Sequence, residues 1–299
     1  MTGSDAAPMP DALRQWIAGR LPGTFVSVAD KSWERDTSRV WLVETTVTTA
    51  YAKISPTVEA FWREVGAYRH AETALAPGQA PRLLAADLGL RAIISTQLPG
   101  RIVRHLDLPP AVEVGVHELA GRLLRGWHAH PAPAPAHARE SFRASMTDQA
   151  AEAAACLNLL GDDLSAAARA LVREVAHDLP ALADSLPLVY LHGDYGTRNW
   201  LWDTEAERLA VIDFEAAAHG LAVQDMVWQC GALWTTRPDL REAFLNGFGR
   251  KPSPDENRAL VLLTARLAAS YLATGRTTHD QVLVDRGHRA LSSLARTLH

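Results

Sequence analysis

The sequence predicts an α+β chain in two parts: a small N-terminal lobe with an antiparallel sheet, then a larger, mostly helical C-terminal lobe. Three observations carry this. Before residue 97, segments rich in Val, Thr and aromatics ("SRVWLVETT", "TAYAKIS") alternate with segments of helical period ("VEAFWREVGAYRHAETAL"). After "LPG" at 98–100 the chain turns to long Ala- and Leu-rich helical segments. One apolar hairpin, "NWLWDTEAERLAVIDF", interrupts them. The division therefore falls between 1–97 and 98–299.

The first element, "DALRQWIAGRLPG", sets Leu13, Trp16, Ile17 and Leu21 at helical spacing and stops at its Pro-Gly. "SRVWLVETT" and "TAYAKIS" then read as two antiparallel strands. The next segment places Phe61, Val65 and Tyr68 on one helical face. "APRLLAADLGLRAIISTQL" gives a strand, a turn at "DLG" and a second strand. The first hundred residues thus read as helix, two strands, helix, two strands.

In the second part, "PPAVEVGVHELAGRLLRGWHA" is a long helix with proline at its start. "HPAPAPAHA" is an exposed connector. Helices follow over 138–158 and 164–181, then the short strand "LVYLHGD" and the hairpin. The remainder is helical: "VQDMVWQCGALW", "DLREAFLNGFG", "ENRALVLLTARLAASYLATG" and a last helix to His299.

Composition narrows the classes. A chain of 299 residues can bury a large core in one domain or two lobes. Net charge is −4, and no Lys/Arg-dense block marks a nucleic-acid partner. No apolar run reaches the roughly 18 residues of a membrane span. The N-terminal residues lack the basic and apolar segments of a secretory signal. Cys156 and Cys230 share no metal-ligand spacing and are expected as free thiols in the cytoplasm. Lysine is scarce: only Lys31, Lys53 and Lys251 stand among 30 basic residues, so a lysine inside a strand needs its own explanation.

The chemistry concentrates in "LHGDYGTRNWLWD". Asp194 and Asn199 bracket a tight loop with glycines at 193 and 196. A carboxylate there suits orienting and deprotonating a hydroxyl, and a carboxamide offers a neutral oxygen to a hard cation such as Mg²⁺. Asp213 ends the hairpin opposite Asn199, so an Asn/Asp pair can hold Mg²⁺ with positions left for phosphate oxygens.

"HGDYGTRN" followed by "IDFE" resembles the aminoglycoside phosphotransferase and choline kinase family, a branch of the protein-kinase-like fold. The resemblance runs in order along most of the chain and is specific in the catalytic segment. It implies a bilobal kinase-like architecture, with 1–97 the nucleotide-binding lobe and 98–299 carrying the catalytic loop and acceptor site. Asp194 is then the catalytic base, His192 supports its loop, and Asn199 and Asp213 bind Mg²⁺. Gly220 and Asp225 in "HGLAVQDM" also match, with Asp225 as a structural anchor of the catalytic loop. Lys53 in "AYAKIS" falls at the phosphate-binding lysine. Glu64 in "FWREVGAYRH" is its partner in preference to Glu59 or Glu72. "KSWERDTSRVWLV" departs from the Gly-rich loop of protein kinases, leaving Thr37 or Ser38 to face phosphate. "ISTQLPG" matches the hinge, where the backbone of Gln97 and Leu98 would meet the adenine edge. Tyr195 and Arg198 face substrate or simply pack.

The implied activity is transfer of the γ-phosphate of ATP to a hydroxyl of a small molecule, with an aminoglycoside or other antibiotic as the leading acceptor. Choline, ethanolamine or an amino sugar is the alternative; a choline-type site needs an aromatic cage, for which Trp228, Trp234 and Tyr271 are the candidates. A catalytically silent nucleotide-binding module is the third reading. The expected state is a cytoplasmic monomer or homodimer with neither nucleic acid nor membrane as partner.

Overall fold

The computed structural model describes residues 8–32 and 38–297. In chain order the first elements are α1 (Asp11–Ala18), β1 (Phe25–Asp30), β2 (Arg39–Thr45), β3 (Thr49–Ile54), α2 (Val58–Ala74), β4 (Leu83–Asp87), β5 (Ala92–Thr96) and β6 (Arg101–Ile102). Next come α3 (Pro110–Ala129), α4 (Ala138–Leu160), α5 (Ala166–Asp178), the single turn α6 (Leu182–Ser185), β7 (Leu188–Leu191), β8 (Trp200–Asp203), β9 (Arg208–Val211) and β10 (Ala218–Leu221). The chain finishes with α7 (Val227–Gln229), α8 (Pro238–Phe248), α9 (Pro254–Thr278) and α10 (Gln281–Thr297).

These elements form two compact units. The first holds the described residues up to Leu106 together with Arg198–Ala217. Its five-stranded sheet runs β1-β2-β3-β5-β4, every neighbouring pair antiparallel. Alternation along β2 and β3 sends Trp41, Val43, Ala50 and Ala52 into a core shared with Leu13 and Ile17 of α1. α2 begins where the Thr57 hydroxyl accepts the Ala60 N–H. It buries Phe61, Glu64, Val65 and Tyr68.

Three departures from the sequence reading bear on the site and its surroundings. β1 was not expected: "FVSVAD" is an edge strand with consecutive exposed residues at Val26 and Ser27, so the two-residue period that marks a half-buried strand is missing. The hairpin β8–β9 and residues 98–106 belong with the first unit, whereas the sequence division assigned 98–299 to one lobe. The physical reason is pairing: β6 pairs antiparallel with β8, matching Arg101 to Trp202. Gly100, at φ 107°, makes this approach possible, since a Cβ there would sit 2.8 Å from the Trp202 carbonyl. Finally, "VQDMVWQCGALW" is not one helix. It passes from a 3₁₀ stretch (Ala222–Met226) through the short α7 into a π-helical run (Cys230–Trp234).

The second unit, Asp107–Thr197 with Ala218–His299, is mainly helical. α3 and α8 pack backbone to backbone. A Cβ on Gly121 would collide with the Phe244 carbonyl, and one on Gly247 with the Glu118 carbonyl. α9 starts at a reciprocal cap between Ser253 and Glu256. β7 pairs antiparallel with β10, setting Leu191 beside Ala218 and leading directly into the His192–Asp194 loop. No described helix is long and apolar enough to cross a membrane.

Candidate active site

The first unit contains a cavity of about 420 Å³, within the usual range for a small-molecule site. Every residue that lines it lies in that unit. Lys53, Glu64, Ser38, Gln97, Leu98, Asn199 and Asp213, seven of the residues singled out in the sequence, converge on it. Thr37 lies outside the described residues.

Lys53 lines the cavity. Strand alternation turns its side chain, with Tyr51, to the face of β3 opposite Ala50 and Ala52. There its ammonium donates to Glu64 Oε1 (3.1 Å), Asp213 Oδ1 (3.3 Å) and Glu215 Oε2 (2.7 Å). Glu64 reaches it from the buried face of α2. Glu72 instead stands exposed near Arg82, and Glu59 is exposed in the first turn of α2. Ser38 donates its hydroxyl to the same Glu215 Oε2 at 2.9 Å. One ammonium therefore serves three carboxylates. Burial alone would lower the Lys53 pKa, but the three carboxylates outweigh it and hold the group above the ordinary lysine range. Burial pushes the Glu64 carboxyl up to about 7, against the pull of Lys53 and with the help of Asp213 and Glu215.

The hairpin supplies the facing wall. The Ile212 N–H donates to the Asn199 carbonyl at 2.9 Å, closing the open end of the ribbon and bringing Asn199 and Asp213 to one end of it. Asp213 has φ 67°, a left-handed conformation uncommon for a residue with a side chain. Phe214, fully buried, packs edge-on against Tyr68 at 5.0 Å and holds the turn from inside. Among the described residues, no group of three or more His, Cys, Asp or Glu forms a self-sufficient metal site.

The remaining two predicted residues, His192 and Asp194, lie in the second unit. Their loop is fixed by Asp225. One carboxylate oxygen of Asp225 accepts the His192 N–H (3.0 Å) and the other the Gly193 N–H (2.7 Å). His128 of α3 closes on Asp225 Oδ2 at 2.8 Å. His192 itself is fully buried, its ring 5.6 Å from Trp127 and 5.4 Å from Tyr195. The Asp194 N–H points to His192 Nδ1 at 3.4 Å. Tyr195 packs inward, donating its hydroxyl to the Ala120 carbonyl at 2.7 Å, while its own carbonyl accepts from the Gln229 amide. Arg198 lines the cavity.

Some participants were not legible beforehand. Glu215 enters the site through its salt bridge to Lys53. His128 and Gln229 carried no signal, because each bonds a residue far along the chain. Of the residues considered for an aromatic cage, Trp234 is buried against Phe244, and the Arg286 guanidinium covers Tyr271 at 5.5 Å.

Comparison with known proteins agrees with this fold. No curated protein matches the chain. Among solved structures, the aminoglycoside phosphotransferase APH(2'')-Ib with bound ADP is similar over 96% of this chain and 98% of its own, at 14% identity and TM-score 0.65. A macrolide 2'-phosphotransferase from Brachybacterium faecium is similar over 94% and 98%, at 17% identity and TM-score 0.59. A spectinomycin phosphotransferase in complex with ADP and spectinomycin is similar over 96% and 93%, at 14% identity and TM-score 0.61. At such identities the likeness shows the fold, the protein-kinase-like one. Residues 33–261 match the phosphotransferase enzyme family (APH). The chain belongs to that family and is, by class, a small-molecule kinase.

Proposed function

We propose that the protein transfers the γ-phosphate of ATP to a hydroxyl of an antibiotic, with an aminoglycoside as the first candidate. The observation that carries this reading is the convergence of Lys53, Glu64, Asn199 and Asp213 on one cavity. In phosphoryl transfer the protein supplies positioning and charge rather than covalent chemistry, and this set has the groups for both. The structural neighbours, whose names specify aminoglycosides, a macrolide and spectinomycin, support this acceptor class.

Lys53 presents a cation that stays charged and is held from behind by the buried Glu64. Gln97 and Leu98 follow β5 at the cavity and offer backbone groups to a purine edge. Asp194 sits five residues before Asn199 and orients the acceptor hydroxyl, taking its proton as the new bond forms. The bond between the γ-phosphorus and the bridging oxygen breaks as the acceptor oxygen bonds to phosphorus, and ADP leaves. His192 and Asp225 keep the Asp194 loop in one conformation.

The residues also fit Mg²⁺. Asn199 and Asp213 give two oxygen donors, the small number that Mg²⁺ takes from protein when phosphates and water supply the rest. Three carboxylates facing one ammonium leave negative charge that a divalent cation would balance. When bound, Mg²⁺ would neutralise charge on the transferring phosphate.

Two unpaired cysteines and a nucleotide donor suit a cytoplasmic setting. The test is ATP consumption against aminoglycosides, spectinomycin, macrolides, choline and amino sugars. Turnover with an antibiotic and not with choline is the expected result. Turnover with choline alone would replace the antibiotic reading with the metabolite one.

A further inference from the structure

We infer that Glu215 is a latch on Lys53, occupying the position a nucleotide phosphate needs and leaving when the phosphate arrives. The inference rests on the reading of the cavity as a nucleotide site. Lys53 has three N–H donors, and all three are engaged by carboxylates. A phosphate oxygen can bond this ammonium only after one carboxylate withdraws.

The three differ in their freedom to do so. Glu64 has a side chain 2% exposed on the inner face of α2, with nowhere to go. Asp213 is as exposed as Glu215, at 38%, but has the longest contact, 3.3 Å, and a left-handed backbone that the Asn199–Ile212 hydrogen bond and buried Phe214 hold in place. Glu215 has the shortest contact, 2.7 Å, yet its side chain is 36% exposed and can swing into solvent. It follows the last strand of the hairpin rather than sitting inside it.

Glu215 is also tied to the loop before β2. Its Oε2 accepts from both Lys53 and the buried Ser38 hydroxyl. One carboxylate oxygen thus fastens the two donors best placed to meet phosphate. Two anions cannot share the spot, so phosphate binding and the Glu215 contact exclude each other. Release of Glu215 frees Lys53 and Ser38 together.

The test compares wild type with Glu215→Gln and Glu215→Ala by calorimetric titration with ADP, first in EDTA and then with excess Mg²⁺. Melting curves confirm that each variant is folded. The latch predicts that both variants bind ADP in EDTA about tenfold tighter than wild type or better, because phosphate no longer displaces an ion pair. Equal ADP affinity of all three proteins in EDTA overturns the latch. Unchanged binding in EDTA with weaker binding only in Mg²⁺ also overturns it, and makes Glu215 a cation ligand. Absence of ADP binding by every protein under both conditions removes the nucleotide reading, and the latch with it.

Discussion

Two groups of acidic residues serve the candidate site in opposite ways. In the first unit, Glu64, Asp213 and Glu215 compete for one ammonium, and two of the three are more than a third exposed. In the second unit, Asp225 is completely buried and meets two backbone N–H groups and a histidine within 3.0 Å. The first group is short of cations, while Asp225 is saturated. A carboxylate cluster with unmet charge can change partners when a ligand arrives. A carboxylate with all its partners filled holds a loop still. The difference separates residues that should fail in chemistry from those that should fail in folding.

The sharpest way to break this comparison is Asp213→Asn. Asn tolerates the left-handed backbone, so the turn should survive while the charge is lost. We expect acceptor turnover to fall by about 10³-fold or more, with the melting temperature nearly unchanged. Steady-state kinetics and a thermal melt on the same preparation read both. A large drop in melting temperature would make Asp213 a brace like Asp225.

Asp194→Asn comes next. Turnover should fall by about 10²–10⁴-fold, while calorimetry with ADP and Mg²⁺ finds nucleotide affinity near wild type. Loss of nucleotide binding together with turnover would turn Asp194 into a structural or metal residue.

Asp225→Ala should do the reverse of Asp213→Asn. It strands the His192 and Gly193 N–H groups and His128 without their acceptor. The expected cost is about 3–5 kcal/mol in urea unfolding, the range for removing one partner of a buried charged network. A variant as stable as wild type would show that the loop holds itself.

The smallest effect concerns pH. The folded-state pKa of Glu64 is raised from its ordinary 4.5 to about 7, chiefly by burial. A raised folded value means that Glu64 contributes stability below about 4.5, which is lost as pH rises toward 7. Glu64→Gln should therefore flatten this part of the stability profile, measured by denaturant unfolding at a series of pH values. An identical slope in the variant would assign the pH dependence elsewhere.

How much of this could be read from the chain depends on how local each signal is. The Asp194, Asn199 and Asp213 set was legible because a tight loop and a hairpin fix their order within twenty residues. Lys53 and Glu64 were legible because strand and helix periods say which way each faces. The salt bridge from Lys53 to Glu215 spans 162 residues, and the bond from His128 to Asp225 spans 97. No local period encodes such pairs. β10 was invisible for a related reason: "AHGL" has no β-branched residue, and it is a strand only because β7 pairs with it.

The pairing of β6 with β8 has a consequence for synthesis. β6 ends at Ile102, and its partner begins at Trp200. The chain emerges at about 5–20 residues per second, so roughly 5–20 s pass before β6 finds its neighbour. Through that interval the cavity lacks Asn199, Asp213 and Glu215, and Lys53 has only Glu64 to face. The nascent first unit is thus a sheet without a finished pocket, and neither unit can be cut from the chain as one continuous fragment.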